Sequence, residues 1–124
     1  MLLDVSTEDG VTIARINAPR IEARIADQLA DDLIEAFRPT RAAIIDFSQV
    51  GFIDSVGMKA LMTVLLHCRK SEGFCVLHGV SEDIMSVFVI TRLHKLLPIV
   101  QNEAEAMKQM RELMRENNER AQSL

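Results

Sequence analysis

An α/β domain is predicted by three features of this 124-residue chain. Ala42 to Phe47 is nearly continuously apolar, with adjacent Ile44 and Ile45, the composition of a strand covered on both faces. Ala23 to Phe37 places Ile25, Leu29, Leu33 and Phe37 at four-residue intervals, with Asp27, Asp31, Asp32 and Glu35 on other faces, which makes an amphipathic helix. Leu3, Val5 and Thr7 alternate with Asp4, Ser6 and Glu8, the period of a half-exposed strand. Strand, helix and buried strand in succession commit the chain to layered packing.

The elements follow in order. Asp9-Gly10 after the first strand is a favoured two-residue hairpin turn, because both central positions need positive φ, and Val11 to Ile16 returns as the second strand. Pro19 breaks the pattern, since it cannot donate to a ladder. Pro39 stops the Ala23–Phe37 helix. After the buried strand, a short turn leads to Asp54-Ser55 and a helix from about Gly57 to Lys70. That helix is apolar almost all round, yet Lys59, Thr63, His67 and Lys70 form one narrow polar stripe. Phe74 to Leu77 is another buried strand after the Gly73 break. Ser81 is an expected N-cap, with Glu82 and Asp83 complementing the positive helix end. Leu97 to Val100 contains Pro98 and suits only a short edge strand. Asn102 and Glu105 have capping-box spacing for a last helix, whose apolar face is Ala104, Met107, Met110 and Met114. The domain is thus expected over residues 1–114, with 115–124 a frayed or disordered tail of little apolar periodicity.

Composition narrows the function. A chain of this length is one domain that buries about two-thirds of the surface its unfolded form exposes. With five Phe and no Trp or Tyr, it offers few platforms for stacking bases or sugars. A formal charge of −4 argues against nucleic acid as a partner. No apolar stretch approaches the length of a membrane span, and no hydrophobic run precedes Asp4 as in a cleaved signal. Cys68 and Cys75 lack disulfide or zinc spacing and suit a reducing compartment, with Cys68 facing the core. A cytoplasmic protein without membrane attachment is expected.

Asp54-Ser55 is the pair to explain. A serine at a helix start meets unpaired backbone N–H groups and a positive local field, where a hydroxyl or a phosphate is accommodated. A nucleophile elbow needs Gly-x-Ser-x-Gly, but the residue two before Ser55 is Ile53. His67, His78 and His94 have no metal-ligand spacing, and no acidic pair at the first strand ends would hold magnesium for an Asp54 phosphoacceptor. Nucleotide fingerprints are absent from the sequence. No catalytic residue, metal or cofactor is therefore expected. On residue chemistry alone, the plainest role for Asp54 or Ser55 is to cap the helix, worth about 1 kcal/mol.

Phe52-Ile53-Asp54-Ser55-Val56-Gly57 resembles the Phe-(Ile/Met)-Asp-Ser-Ser-Gly motif of the STAS-domain family, in particular bacterial anti-sigma factor antagonists. The likeness continues through Leu77-His78-Gly79-Val80-Ser81, Thr91 to Ile99 and Asn102 to Ala106, and covers about residues 2 to 114. It implies a four- or five-stranded mixed sheet with about four helices packed mainly on one face. It also implies a phosphorylation switch with Ser55 as acceptor and Asp54, Gly57 and Glu22 supporting it. The unphosphorylated form would bind an anti-sigma factor that is also a serine kinase of histidine-kinase-like ATPase fold, and a PP2C-type phosphatase would reset it. Lys59, Thr63 and His67 are the expected partner contacts. Relatives use such switches in transcription, secretion, biofilm and stress signalling. The alternative within this family is a constitutive binding module, such as a lipid-transport accessory subunit, with Ser55 only a helix cap. Three positions depart from the family pattern: Val56 replaces the second serine, Glu22 replaces an aspartate before the first helix, and Arg92 replaces a glycine before Leu93.

Overall fold

The computed structural model describes residues 1–123. Strands β1 (Leu3–Glu8) and β2 (Val11–Ile16) form an antiparallel hairpin. Its turn has positive φ at Asp9 and Gly10, 52° and 77°, as the Asp-Gly dipeptide predicts. Next come β3 (Arg20–Ile21), α1 (Ala23–Phe37), β4 (Ala42–Asp46) and β5 (Phe52–Ile53). Then follow α2 (Ser55–Lys70), β6 (Phe74–His78), α3 (Glu82–Ile90), a 3₁₀ turn at Leu93–Lys95, β7 (Ile99–Val100) and α4 (Glu103–Ser123).

The main sheet has the order β1-β2-β4-β6-β7, parallel except for the opening hairpin, so the expected mixed five-stranded sheet is present. A separate parallel pair, β3 with β5, lies outside it. Alternation along the buried strands supplies two cores. Ala43 and Ile45 face the cluster containing Leu29 and Leu33 of α1, Leu61 and Val64 of α2, and Ile84 and Phe88 of α3. Ala42 and Ile44 face a smaller cluster with Ala106, Met107 and Met110 of α4. Three helices therefore share one face, and α4 covers the other. This explains why β4 is buried along its whole length.

Two predicted caps form. Ser81 Oγ accepts from the Ile84 N–H at 3.3 Å, and Asn102 Oδ1 accepts from the Glu105 N–H at 2.9 Å. The return bond of the expected capping box is displaced: Glu105 Oε2 accepts from the Gln101 N–H, one residue before the cap. Residues 115–123, expected as a frayed tail, continue α4 to Ser123, while Leu124 lies outside the described residues. Glu, Arg, Gln and Ala are good helix formers that need no apolar face, and Arg115 pairs with Glu119 one turn on at 4.0 Å.

Arg92 has φ of 62° and ψ of 18°, the left-handed conformation that glycine adopts without strain. The turn after α3 is thus kept although arginine stands in it. Among the described residues, no helix is long and apolar enough to cross a membrane.

Candidate functional site

The start of α2 is assembled by backbone pairing over a distance in sequence. Ile21 and Ile53 stand opposite each other in the β3–β5 pair, and the Asp54 N–H donates to the Ile21 carbonyl at 3.1 Å. Gly57 lets the first turn of α2 sit against this pair, because a Cβ there would come within 2.5 Å of the Ile21 carbonyl oxygen and 2.9 Å of the Ile53 side chain. A side chain at that position would push the helix mouth away from the strands.

Asp54, not Ser55, is the N-cap of α2. Its Oδ1 accepts from the Gly57 N–H at 2.8 Å, while Oδ2 accepts from the Ala23 N–H, the first residue of α1, at 3.1 Å. One carboxylate therefore ties the mouths of two helices together. Both oxygens face backbone donors, the arrangement of a structural anchor. Ser55 becomes the first residue of the helix, two positions earlier than the spacing predicts, and it is exposed. Of the two candidates for the cap, Asp54 takes the role, and the alternative with Ser55 as the cap does not hold: the extended backbone of Asp54, φ −92° and ψ −178°, already brings its carboxylate to the Gly57 N–H. The Ser55 and Val56 N–H groups precede the first intrahelical bond, made by the Met58 N–H to the Asp54 carbonyl at 2.9 Å.

Glu22 occupies the N-cap position of α1 but makes no side-chain cap bond. Its longer side chain instead reaches Arg20, with which it pairs, and the donor it leaves is the Ala23 N–H taken by Asp54. The Arg20 guanidinium also lies over the Phe52 ring, 4.0 Å from its centroid. These two residues face each other across β3 and β5. A cation, an aromatic ring and two carboxylates are thus grouped at the base of the exposed serine. Arg20 carries no motif of its own, and only the β3–β5 pairing reveals its place.

An open cleft of about 560 Å³ runs between α2 and α3, lined by Ile53, Asp54, Ser55, Met58, Lys59, Met62, Val87 and Thr91. Exposed apolar side chains adjoin it in sequence: Phe52, Val56, Val89 and Ile90, the last 81% exposed. The consecutive Val87-Phe88-Val89-Ile90 was the available signal, since a nine-residue helix buries one stripe and four apolar residues in a row exceed it.

Lys59, Thr63 and His67 are all exposed on α2, but they do not converge. Lys59 lines the Ser55 cleft, and the Thr63 hydroxyl donates to the Lys59 carbonyl of its own helix at 3.0 Å. His67 lies twelve residues beyond Ser55, about 18 Å along the axis, and opens onto a different cleft with Arg38, Arg41 and Lys70. The other two histidines are elsewhere. His78 is buried opposite Asp46 with Nε2 at 3.9 Å from its carboxylate, and His94 Nδ1 lies 3.3 Å from the Phe88 carbonyl oxygen. Among the described residues, no group of three or more His, Cys, Asp or Glu side chains could hold a metal ion.

Residues 3–106 match the model of the STAS domain. Solved structures share the fold. An anti-sigma-factor antagonist (STAS) domain protein from Planctomyces limnophilus superposes with a TM-score of 0.77 at 22% identity, over 87% of this chain and 96% of its own. A sulfate transporter family protein from Wolinella succinogenes gives 0.76 at 24% identity, covering 89% and 92%. A serine-to-glutamate variant of RsbS from Moorella thermoacetica gives 0.76 at 14% identity, covering 91% and 97%. At these identities the likeness is one of fold.

Proposed function

The chain belongs to the STAS-domain family, whose members are non-catalytic regulatory binding modules, and we propose that it is a phosphorylation-controlled partner switch with Ser55 as the phosphoacceptor. In this reading the unphosphorylated domain docks an anti-sigma factor that doubles as a serine kinase of histidine-kinase-like ATPase fold. Docking releases a sigma factor or another target. Phosphorylation of Ser55 ends it, and a PP2C-type phosphatase restores it, all in the cytoplasm.

The observation that carries the proposal is the exposed Ser55 hydroxyl on the first residue of α2, beside an open, partly apolar cleft, with the capping duty held by its neighbour Asp54. Ser55 is thereby spared a structural task. The cleft has the composition of a docking surface, with Met58, Met62 and Val87 as an adaptable apolar floor and Lys59 as a charged rim. Arg20, placed by the β3–β5 pair, joins the surface beside Phe52.

A phosphate on Ser55 adds about −1.5 to −2 charges beside the Asp54 carboxylate. Against an acidic partner side chain at about 4 Å, with an effective dielectric near 20, one like-charge pair opposes binding by about 4 kcal/mol before screening. Even a third of that weakens binding about tenfold. Within the domain, the unpaired N–H groups of the first helical turn offset part of the added charge, so the fold stays as it is and release is local.

The test pairs the protein with a candidate kinase of histidine-kinase-like ATPase fold from the same cell. Calorimetry is expected to show tight binding of wild type and at least a tenfold loss for Ser55→Asp. Kinase with ATP is expected to label wild type and leave Ser55→Ala unlabelled. Equal affinity of Ser55→Asp and wild type, or normal labelling of Ser55→Ala, contradicts the proposal.

A further inference from the structure

The last turns of α1 and α2 open onto the cleft of about 370 Å³ that also receives His67, at the end of α2 away from Ser55. Half-buried Ile34 and buried Phe37 give it an apolar wall. Arg38, Arg41, His67 and Lys70 stand around it, and Glu72 is the one acid in its lining. The chain as a whole carries 18 acidic residues against 14 lysines and arginines. In this cleft the balance is reversed.

Cations gather at helix C-termini, where they cap carbonyls and complement the macrodipole. Here the turns do the capping instead. The Arg41 N–H donates to the Phe37 carbonyl at 3.0 Å, the Ser71 N–H to the His67 carbonyl at 3.0 Å, and the Gly73 N–H to the Cys68 carbonyl at 2.8 Å. Among the described residues, Arg41 and Lys70 have no ion-pair partner. Arg38 has only Glu35, one turn earlier at 3.3 Å, with both side chains more than half exposed, a pair that exchanges readily. Arg41 lies outside both helices, and its backbone is left-handed with φ of 57°, a conformation that glycine would adopt without strain. Its carbonyl accepts from the Phe74 N–H at 2.8 Å, so the loop that carries Arg41 is tied to the chain leaving the turn after α2.

We infer that this cleft binds a small organic phosphate, its dianionic group against Arg38, Arg41 and Lys70 and its apolar body against Ile34 and Phe37. The volume is that of a small-molecule site rather than of a protein-docking surface. Guanidinium and ammonium groups without a carboxylate partner match a doubly charged group with several acceptor oxygens. The apolar wall gives a carbon skeleton an advantage over the bare ion. His67 already lies about 18 Å from Ser55 along α2, so this site stands apart from the phosphoacceptor and its cleft.

The test titrates the isotope-labelled, full-length protein with phenyl phosphate and follows the backbone amide signals. Saturable shifts centred on residues 34–41 and 67–73 are expected, with a Kd of about 1 mM or below. Inorganic phosphate, which lacks the ring, is expected to bind about tenfold more weakly. Arg41→Gly and Lys70→Gln should each weaken phenyl phosphate about fivefold or more. Glycine suits the left-handed backbone at position 41, so Arg41→Gly is expected to unfold in urea no earlier than wild type. The inference is overturned if wild type shows no saturable shifts up to about 20 mM phenyl phosphate, far above that Kd. Shifts centred on the start of α2, or unchanged binding by both variants, overturn it too. So does inorganic phosphate binding as tightly as phenyl phosphate, since the apolar wall then has no part. Tighter binding of an octaglutamate peptide likewise overturns it, because the cleft then serves an acidic protein segment.

Discussion

Asp54 and Ser55 sit side by side in the sequence but do different work. Asp54 bonds the Gly57 N–H of α2 and the Ala23 N–H of α1, so its removal orphans a donor on each of two helices. Asp54→Ala is therefore expected to cost about 2 kcal/mol, roughly twice an ordinary cap, in urea unfolding. Ser55→Ala, at an exposed first helical position, should stay within about 0.5 kcal/mol of wild type. A loss of 0.3 kcal/mol or less for Asp54→Ala, on the order of a neutral surface change, would contradict the double cap. The residue types at this site were legible in the sequence; the division of labour between them was not. Which oxygen reaches which N–H depends on the extended backbone of Asp54 and on where α1 begins, at Ala23, thirty-one residues before Asp54 in sequence. Glu22 illustrates the same point. One extra methylene sends its carboxylate to Arg20 and leaves its own helix to be capped by a residue from elsewhere.

At the scale of elements, periodicity located what has a period. Ala23–Phe37 begins and ends where its four-residue spacing and Pro39 place it, because that stripe is long and the stop signal strong. The two-residue strands β3 and β5 have no period to read, and their existence depends on pairing with each other. They matter most to the site, since they carry Arg20, Phe52 and the contact that fixes the start of α2. The extent of α4 was obscured for the opposite reason: its last turns are helical through good helix formers and an i,i+4 ion pair, with no apolar face to reveal them. Its packing residues are Ala106, Met107 and Met110, with Leu113 and Met114 at the margin. Truncation after Met114 is therefore expected to leave stability within about 0.5 kcal/mol by chemical denaturation. A loss of about 2 kcal/mol or more would show that residues 115–123 contribute to the fold.

Across the whole molecule, the two faces of the sheet have separate tasks. The face covered by α1, α2 and α3 builds the larger core and, at its rim, the cleft containing Ser55, while α4 seals the opposite face. Under the proposed switch, separation of this kind would let a charge change at the mouth of α2 alter docking without disturbing the packed layers beneath it. The surplus apolar surface of α3 belongs to the same end of the molecule as the serine, whereas His67, which shares a helical stripe with Lys59, faces another cleft. A stripe on one helix is thus not yet a surface. What places groups together is the tertiary contact between elements, which a single sequence does not display. The proposed switch requires that the state of Ser55 differ between partner-bound and unbound protein. Intact-mass measurement with peptide mapping on the two pools, isolated separately from the native cell, reads this directly. An addition of about 80 Da on Ser55 in the unbound pool, and none in the partner-bound pool, is the predicted result. Phosphate on Ser55 within the partner-bound pool, or an unmodified Ser55 in both, would contradict it.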